Sequence, residues 1–320
     1  MRSTVVGSPR FPPIASAPVS EPPEPVVPEH VVPEHAVPEH AVPEHAVPDH
    51  AVPDHVFSID GAGDGDVAVP TELARGPWSP HAMHGSPPAT LLARYLERHD
   101  VGTATFPVRF TVELMRPVPL RPLRVACETV RDGKKLQLLQ GSLFDGDLEV
   151  CRATLLRFRE TAVDEAPHAG VRHIAPMVRD PDPTRVDTLR PGWAVGVGFW
   201  SAMELERTDP RGAQPGPSGM WLRLRVPFVA GEAPSPFQRV TAAADFGNAI
   251  AASFGQGRYA CINADLTITL HRLPEGEWVG LEPSIFPEAH GIGVSESILY
   301  DDAGRIGLGV QNVLIDEIAR

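Results

Sequence analysis

Phe110-Thr111-Val112-Glu113-Leu114-Met115-Arg116-Pro117 alternates apolar and polar residues and then stops at an Arg-Pro pair. Alternation of period two marks a strand with one face on a core. A second run, Leu266-Thr267-Ile268-Thr269-Leu270-His271-Arg272-Leu273, has the same form, and Thr267 matches Thr111 at an offset of 267 − 111 = 156. Arg272 matches Arg116, and further along Leu299-Tyr300-Asp301 matches Leu143-Phe144-Asp145 at the same offset. One offset held across separate segments is the mark of an internal duplication. The chain is one structural unit used twice.

Outward from the first run, Ala89 to Leu96 has its apolar residues at helical spacing, and Pro87 and Pro88 suit the first turn of that helix. Strand-like runs follow at Thr105 to Met115, Leu123 to Arg131, Lys135 to Phe144 and Leu148 to Phe158, with Asp132-Gly133 and Asp145-Gly146 as hairpin turns. The second copy reads as strands at Gly198 to Arg207 and Met220 to Val229, the latter weakened by Pro227. A small, apolar helix follows from Thr241 to Phe254, with Asp245 at its start. Further strands fall at Tyr259 to His271, Gly276 to Ile285, Gly293 to Tyr300 and Arg305 to Ile315. Beyond the turn after Asp301 the second copy reads two residues longer, for an offset of 158. The expected fold is α+β: two antiparallel curled sheets, each wrapping a central helix, joined edge to edge. Such a join hides sheet edges that otherwise invite aggregation. The expected units are 56–159 and 191–320, with a Pro-containing linker over 160–190.

Residues 1–55 differ in kind. Six pentads from VVPEH to AVPDH run from Val26 to His55. A proline in every pentad prevents regular helix and removes ladder donors, so a disordered tail is expected. Its six histidines invite a metal reading, but the plain extension is preferred and no metal or cofactor is expected. Of the net charge of −13, the tail carries −6, from eight acids against Arg2 and Arg10, which leaves −13 + 6 = −7 for the rest. That sign disfavours nucleic acid and anionic membranes as partners. No apolar run is long enough to span a bilayer, and prolines interrupt the first residues where a signal peptide needs a continuous apolar stretch. Cys127, Cys151 and Cys261 have no metal-type spacing. A cytoplasmic location is expected.

Chemistry is sought where the copies differ. At the offset of 156, Asp245 falls opposite Ala89, Asn263 opposite Pro107 and Asp265 opposite Arg109. At the offset of 158, Gln311 falls opposite Ala153. Scaffold repeats, whereas chemistry is needed once. Asp245, Asn263 and Gln311 therefore form the candidate catalytic group, with Asn248, Asp265, His84 and Gly85 as weaker binding candidates. Solvated strand-end charge explains His271 and Arg272 as well as attraction of phosphate does.

At these residues the chain resembles the acyl-CoA thioesterase II family, whose members fold as double hotdogs. Gly76-Pro77-Trp78-Ser79 with His84-Gly85 looks like that family's lead into its first helix, and Met115-Arg116-Pro117-Val118-Pro119-Leu120 like its strand-end motif. Asp245, Asn263-Ala264-Asp265, His271-Arg272 and Val310-Gln311 look like the second-half motifs, so the resemblance covers about residues 56–316. It implies hydrolysis of acyl-CoA in lipid metabolism, by a water held between an Asp, a Thr or Ser, and a Gln. Asp245 and Gln311 match that pattern, while Asn263 stands at the Thr/Ser position. It also implies phosphate attraction by Arg272 and, since hotdog units commonly pair, a homodimer. Two alternatives are an acyl-binding double hotdog of weak activity, supported by Asn263, and a hotdog hydratase or dehydratase. The latter pairs its acid with a nearby His, and none occurs between Ala242 and Tyr259.

Overall fold

The computed structural model describes residues 52–61, 65–100, 102, 104–162, 196–207, 219–251 and 259–317. The pentads before Val52 and the linker beyond Ala162 lie outside them. In chain order the elements are β1 (Phe57–Asp60), β2 (Val67–Pro70), α1 (Ser86–Arg98), β3 (Thr105–Leu114), β4 (Leu123–Asp132), β5 (Leu136–Asp145) and β6 (Leu148–Arg159). Then come β7 (Met203–Arg207), β8 (Met220–Leu224), α2 (Pro236–Ala244), α3 (Gly247–Ala251), β9 (Tyr259–Asn263), β10 (Asp265–Leu270), β11 (Val279–Pro287), β12 (Ile292–Asp301) and β13 (Gly304–Glu317).

The strands form one antiparallel sheet in the order β1-β2-β4-β5-β6-β3-β10-β13-β12-β11-β8-β7, with β9 also paired to β13. That order is symmetric about its centre, as an edge-to-edge double hotdog requires. β3 and β10 form the seam, with Thr111 opposite Thr267. The offset of 156 carries β5 onto β12 at both ends, 292 − 136 and 301 − 145. Even the irregularities repeat. The register shifts between Leu143 and Phe144 in one copy and between Leu299 and Tyr300 in the other.

Four expectations change. Phe199–Ala202 is a 3-10 turn, so the run from Gly198 is strand only from Met203. β8 stops at Leu224, short of Pro227, whose missing N–H cannot serve a ladder. The run from Tyr259 breaks at Ala264 into β9 and β10. Its counterpart in β3 is a bulge between Pro107 and Arg109, so the interruption belongs to the repeat. Finally, no two-residue insertion precedes Gln311. Ser295 pairs with Gln311 as Leu139 pairs with Leu155, both at 156, and β13 merely runs further at its end. The equivalent of Gln311 is therefore Leu155, not Ala153.

The helices pack on one face of the sheet. Leu91, Leu92 and Leu96 of α1 and Val240 of α2 are buried, each contributing roughly 1.5–3 kcal/mol. α1 and α2 are also tied by polar groups. Glu97 accepts from Ser235 Oγ at 2.7 and 2.8 Å and from Gln238 Nε2. Burial raises the Glu97 carboxyl against these hydrogen bonds. Arg94 Nε donates to Glu232 Oε2 at 2.8 Å, and the Arg94 hydrogen bond leads in holding Glu232 down at about 2, against burial.

Candidate functional site

The second helix begins earlier than its composition predicts. Ser235 caps α2, its Oγ accepting from Gln238 N at 3.1 Å, and Pro236 occupies the first turn. Asp245 is thus the C-cap of α2 rather than a residue at its start. The chain turns there, and α3 opens two residues later at Gly247. Ala89, opposite Asp245 at the offset of 156, stands in the first turn of α1, so the two positions differ in helical setting. An acid at a helix C-terminus gains nothing from the dipole, so its stabilisation comes from side chains.

Those side chains converge from both copies. Asn263 Nδ2 donates to Asp245 Oδ1 at 2.8 Å, and Gln311 Nε2 donates to the same oxygen at 3.2 Å. From the first copy, Ser86 Oγ donates to Asp245 Oδ2 at 3.3 Å, and His84 Nδ1 lies 3.1 Å from that oxygen. Asp245 is 5% exposed and Gln311 2%, so water supplies little of the carboxylate's solvation. Burial alone would raise its pKa. The hydrogen bond and charge of His84, with hydrogen bonds from Asn263 and Ser86, instead hold it below the ordinary aspartate range.

A further layer fixes these partners. Asn248 N donates to Gln311 Oε1 at 3.0 Å, which sets the amide so that its Nε2 faces Asp245. Asn248 Nδ2 donates to Cys261 O at 3.3 Å and to Asn263 Oδ1 at 3.4 Å. His84 stacks on Phe246, ring centroids 4.9 Å apart, with Phe199 at 5.5 Å. Its Nδ1 also accepts from Ser86 N at 3.1 Å. One nitrogen cannot serve both neighbours: bearing a proton it donates to Asp245, and without one it accepts from Ser86. Pro87 and Pro88 have no N–H, so Gly85 N–H is the remaining donor at the start of α1 with no protein acceptor among the described residues.

Two candidates lie elsewhere. The Asp265 carboxylate accepts from Asn312 N and Nδ2, both at 2.7 Å, and only its backbone O reaches the site, accepting from Asn263 Nδ2 at 3.2 Å. Arg272 follows the opposite end of β10. It grips Asp301 with both terminal nitrogens and donates to Gly304 O at 2.9 Å, so its guanidinium serves the β12–β13 turn. Ser86 was missed in the sequence, where it reads as an ordinary residue at a helix start. Among the described residues no three His, Cys, Asp or Glu side chains group as a metal site, and no helix is long and apolar enough to cross a membrane.

Residues 74–158 match the profile of the acyl-CoA thioesterase N-terminal domain and residues 173–315 that of the acyl-CoA thioesterase C-terminal domain. An acyl-CoA thioesterase II of Mycobacterium marinum superposes with a TM-score of 0.57 at 13% identity, over 82% of this chain and 96% of that one. A TesB protein of Mycobacterium avium subspecies paratuberculosis gives 0.59 at 14% identity, over 81% and 95%. A conserved hot dog fold protein of Alicyclobacillus acidocaldarius gives 0.63 at 12% identity, over 83% and 98%. At such identities these likenesses speak to the fold. No curated protein sequence matches the chain.

Proposed function

Since the chain belongs to the acyl-CoA thioesterase family, we propose that it hydrolyses acyl-CoA by direct attack of a water held at Asp245. The observation that carries this reading is the double clasp on Asp245 Oδ1 by Asn263 and Gln311. In the first copy, Pro107 and Leu155 occupy the equivalent places, and neither side chain can hold a carboxylate or a water.

The water adds to the thioester carbonyl carbon and its proton passes to Asp245. The carbonyl oxygen, now negative, is stabilised by Gly85 N–H and the positive end of α1. Collapse breaks the C–S bond, and the coenzyme A thiolate takes the proton back from Asp245. A carboxyl held below its ordinary range is a weak base. Most of its contribution is therefore orientation: both oxygens are fixed, so a bound water meets the carbonyl in one geometry.

Purified protein incubated with acyl-CoAs of graded chain length and a thiol reagent tests this reading. Hydrolysis that disappears in a folded Asp245→Ala variant is the expected result. Turnover unchanged by that substitution removes Asp245 from the reaction, and tight acyl-CoA binding without turnover converts the reading to a binding protein.

His84 favours a second reading. The stretch around Asp245 contains no histidine, but the fold brings one from the other copy to 3.1 Å. An acid and a histidine so paired suit addition of water to an enoyl-CoA. Consumption of enoyl-CoA without release of thiol would select hydration over hydrolysis.

A further inference from the structure

Gln311 points to the helices, since its amide meets Asp245 and Asn248. Residues directly opposite on paired strands share a face, with Cβ atoms about 4.5–5.5 Å apart. Ser295 of β12 is opposite Gln311 on β13 and so stands beside it on the helix side. Ser297, two residues on, shares that face, and both serines are buried, Ser295 to 1% exposure. Helix α3 lies over them. A Cβ at Gly247 would clash with Ser297 Oγ and lie 3.2 Å from Gln311 Oε1.

The scaffold does not ask for serine at these positions. At the offset of 156 the first copy has Leu139 and Gly141 there, and Leu139 is buried opposite Leu155. Helix α1 packs down on that floor: a Cβ at Gly141 would lie 3.2 Å from Leu92 and 3.3 Å from Leu96. One register thus carries apolar packing in the first copy and hydroxyls in the second. The Ser295 hydroxyl, moreover, has no hydrogen-bond partner among the described residues. A buried hydroxyl left unpaired destabilises a fold, and alanine would fill the place without that penalty. A ligand atom that pairs with the hydroxyl explains why serine stands there.

We propose that Ser295 determines specificity, and that the preferred substrates are acyl thioesters with a hydroxyl or oxo oxygen on the β-carbon. This inference rests on the hydrolysis proposed at Asp245 and names its substrate class. Gly85 lies against Asp245 Oδ2, Gln311 against Oδ1, and Ser295 beside Gln311. With the carbonyl oxygen at Gly85 N–H, one arm of the thioester leads across Asp245 towards Ser295. The arm that ends in coenzyme A must reach solvent, and Ser295 is closed off from it, so the arm directed at Ser295 is the acyl group. An oxygen on the α-carbon would stay against Asp245 and Asn263, and the β-carbon is the first whose oxygen clears them. A plain hydrocarbon there leaves the hydroxyl unpaired, whereas an oxygen pairs with it as donor or acceptor. A polar group so placed discriminates against the analogue that lacks the oxygen.

The test compares hexanoyl-CoA with β-oxohexanoyl-CoA and with each epimer of β-hydroxyhexanoyl-CoA, on the full chain and its Ser295→Ala variant. Oxygen near the carbonyl also alters intrinsic reactivity, so the quantity read is how the ratio of kcat/KM values changes between the two proteins. In the parent the best oxygenated ester should exceed hexanoyl-CoA, and Ser295→Ala should lower that ratio about tenfold. The variant should melt no lower than the parent, because it removes an unpaired hydroxyl. A ratio left unchanged by the substitution overturns the proposal, as does a parent that favours hexanoyl-CoA. A clearly lower melting temperature makes Ser295 a packing residue and overturns it too. If no ester is hydrolysed, the chemistry at Asp245 falls, and isothermal titration of the same esters decides this inference separately. The ratio of dissociation constants then takes the place of the ratio of kcat/KM, with the same outcomes for and against.

Discussion

The hydroxyl oxygens of Thr111 and Thr267 lie 3.2 Å apart on paired strands β3 and β10. These residues are also each other's equivalents in the duplication, at 267 − 111 = 156. A residue that faces its own repeat lies on the two-fold axis relating the copies. The seam is therefore isologous within a single chain, built as a homodimer interface would be. What duplication then permitted is asymmetry: the seam stayed symmetric while Asp245, Asn263 and Gln311 appeared in one copy only.

That hydroxyl pair yields a stability prediction. Thr267→Val leaves the Thr111 hydroxyl half-buried with its partner gone, and should cost about 1 kcal/mol. The double substitution to Val removes both polar groups and keeps the β-branched shape, so it should lie closer to the parent than either single variant does. Urea unfolding of the four proteins measures the coupling, and purely additive effects would show that the hydroxyls do not interact.

Gln311 is the polar counterpart of Leu155. Gln311→Leu should fold, because the first copy packs a leucine at that register. It also frees Asn248 N and removes one donor from Asp245 Oδ1. The expectation is a stability loss of roughly 1–3 kcal/mol and a fall in kcat of about 100-fold or more. Thermal melts and steady-state hydrolysis separate the two effects. Full activity would place the water elsewhere.

The strand pattern, both hairpin turns and the duplication were legible because each rests on local alternation repeated at one offset. Less local features were not. Ser235-Pro236 is a helix cap and first turn, but beside Pro234 it looks like loop, so composition alone opens the helix at Thr241 and sets Asp245 at the wrong end. The longer tail of β13 looks like an insertion, which shifted Gln311 onto Ala153. Tertiary partners were the least accessible. Nothing near Asp301 in sequence announces that it occupies Arg272, and nothing near His84 announces Asp245, 245 − 84 = 161 residues later.

Asn263 tests how much a hydroxyl matters. As an amide it can orient a water but cannot pass a proton along. Asn263→Thr supplies a hydroxyl and gives up the 2.8 Å bond to Asp245. Turnover should rise if proton relay is limiting, and stopped-flow hydrolysis reads this directly. A drop in turnover would mean that this hydrogen bond to Asp245 matters more than relay.

Acid should act through Asp245. Its folded-state pKa lies below the ordinary value, so on acidification the unfolded chain takes up that proton first. The stability it contributes is present above about pH 4 and is lost as pH falls further, through the folded pKa. Asp245→Asn should therefore show a shallower loss of stability below about pH 4 than the parent does. Chemical denaturation across that range is the measurement, and parallel curves would show that the folded carboxyl is not depressed.

Gly85, at the start of α1, packs against Asp245 of the other copy. Its backbone has φ −65° and ψ −33°, which any residue adopts, so strain does not demand glycine there. Space does: a Cβ at this position would lie 2.6 Å from Asp245 Oδ2 and 3.0 Å from Oδ1. Gly85→Ala must displace the carboxylate, and with it the alignment of His84, Ser86 and Asn263 on its two oxygens. At the N-cap of α1 alanine is a poorer residue than glycine, but the cost to the helix is only roughly 0.5 kcal/mol. The expected outcome is a fall in kcat/KM of about tenfold or more with a much smaller change in melting temperature. Equal losses of both would make Gly85 a packing residue only, and unchanged activity would show that the position of Asp245 is not critical to the reaction.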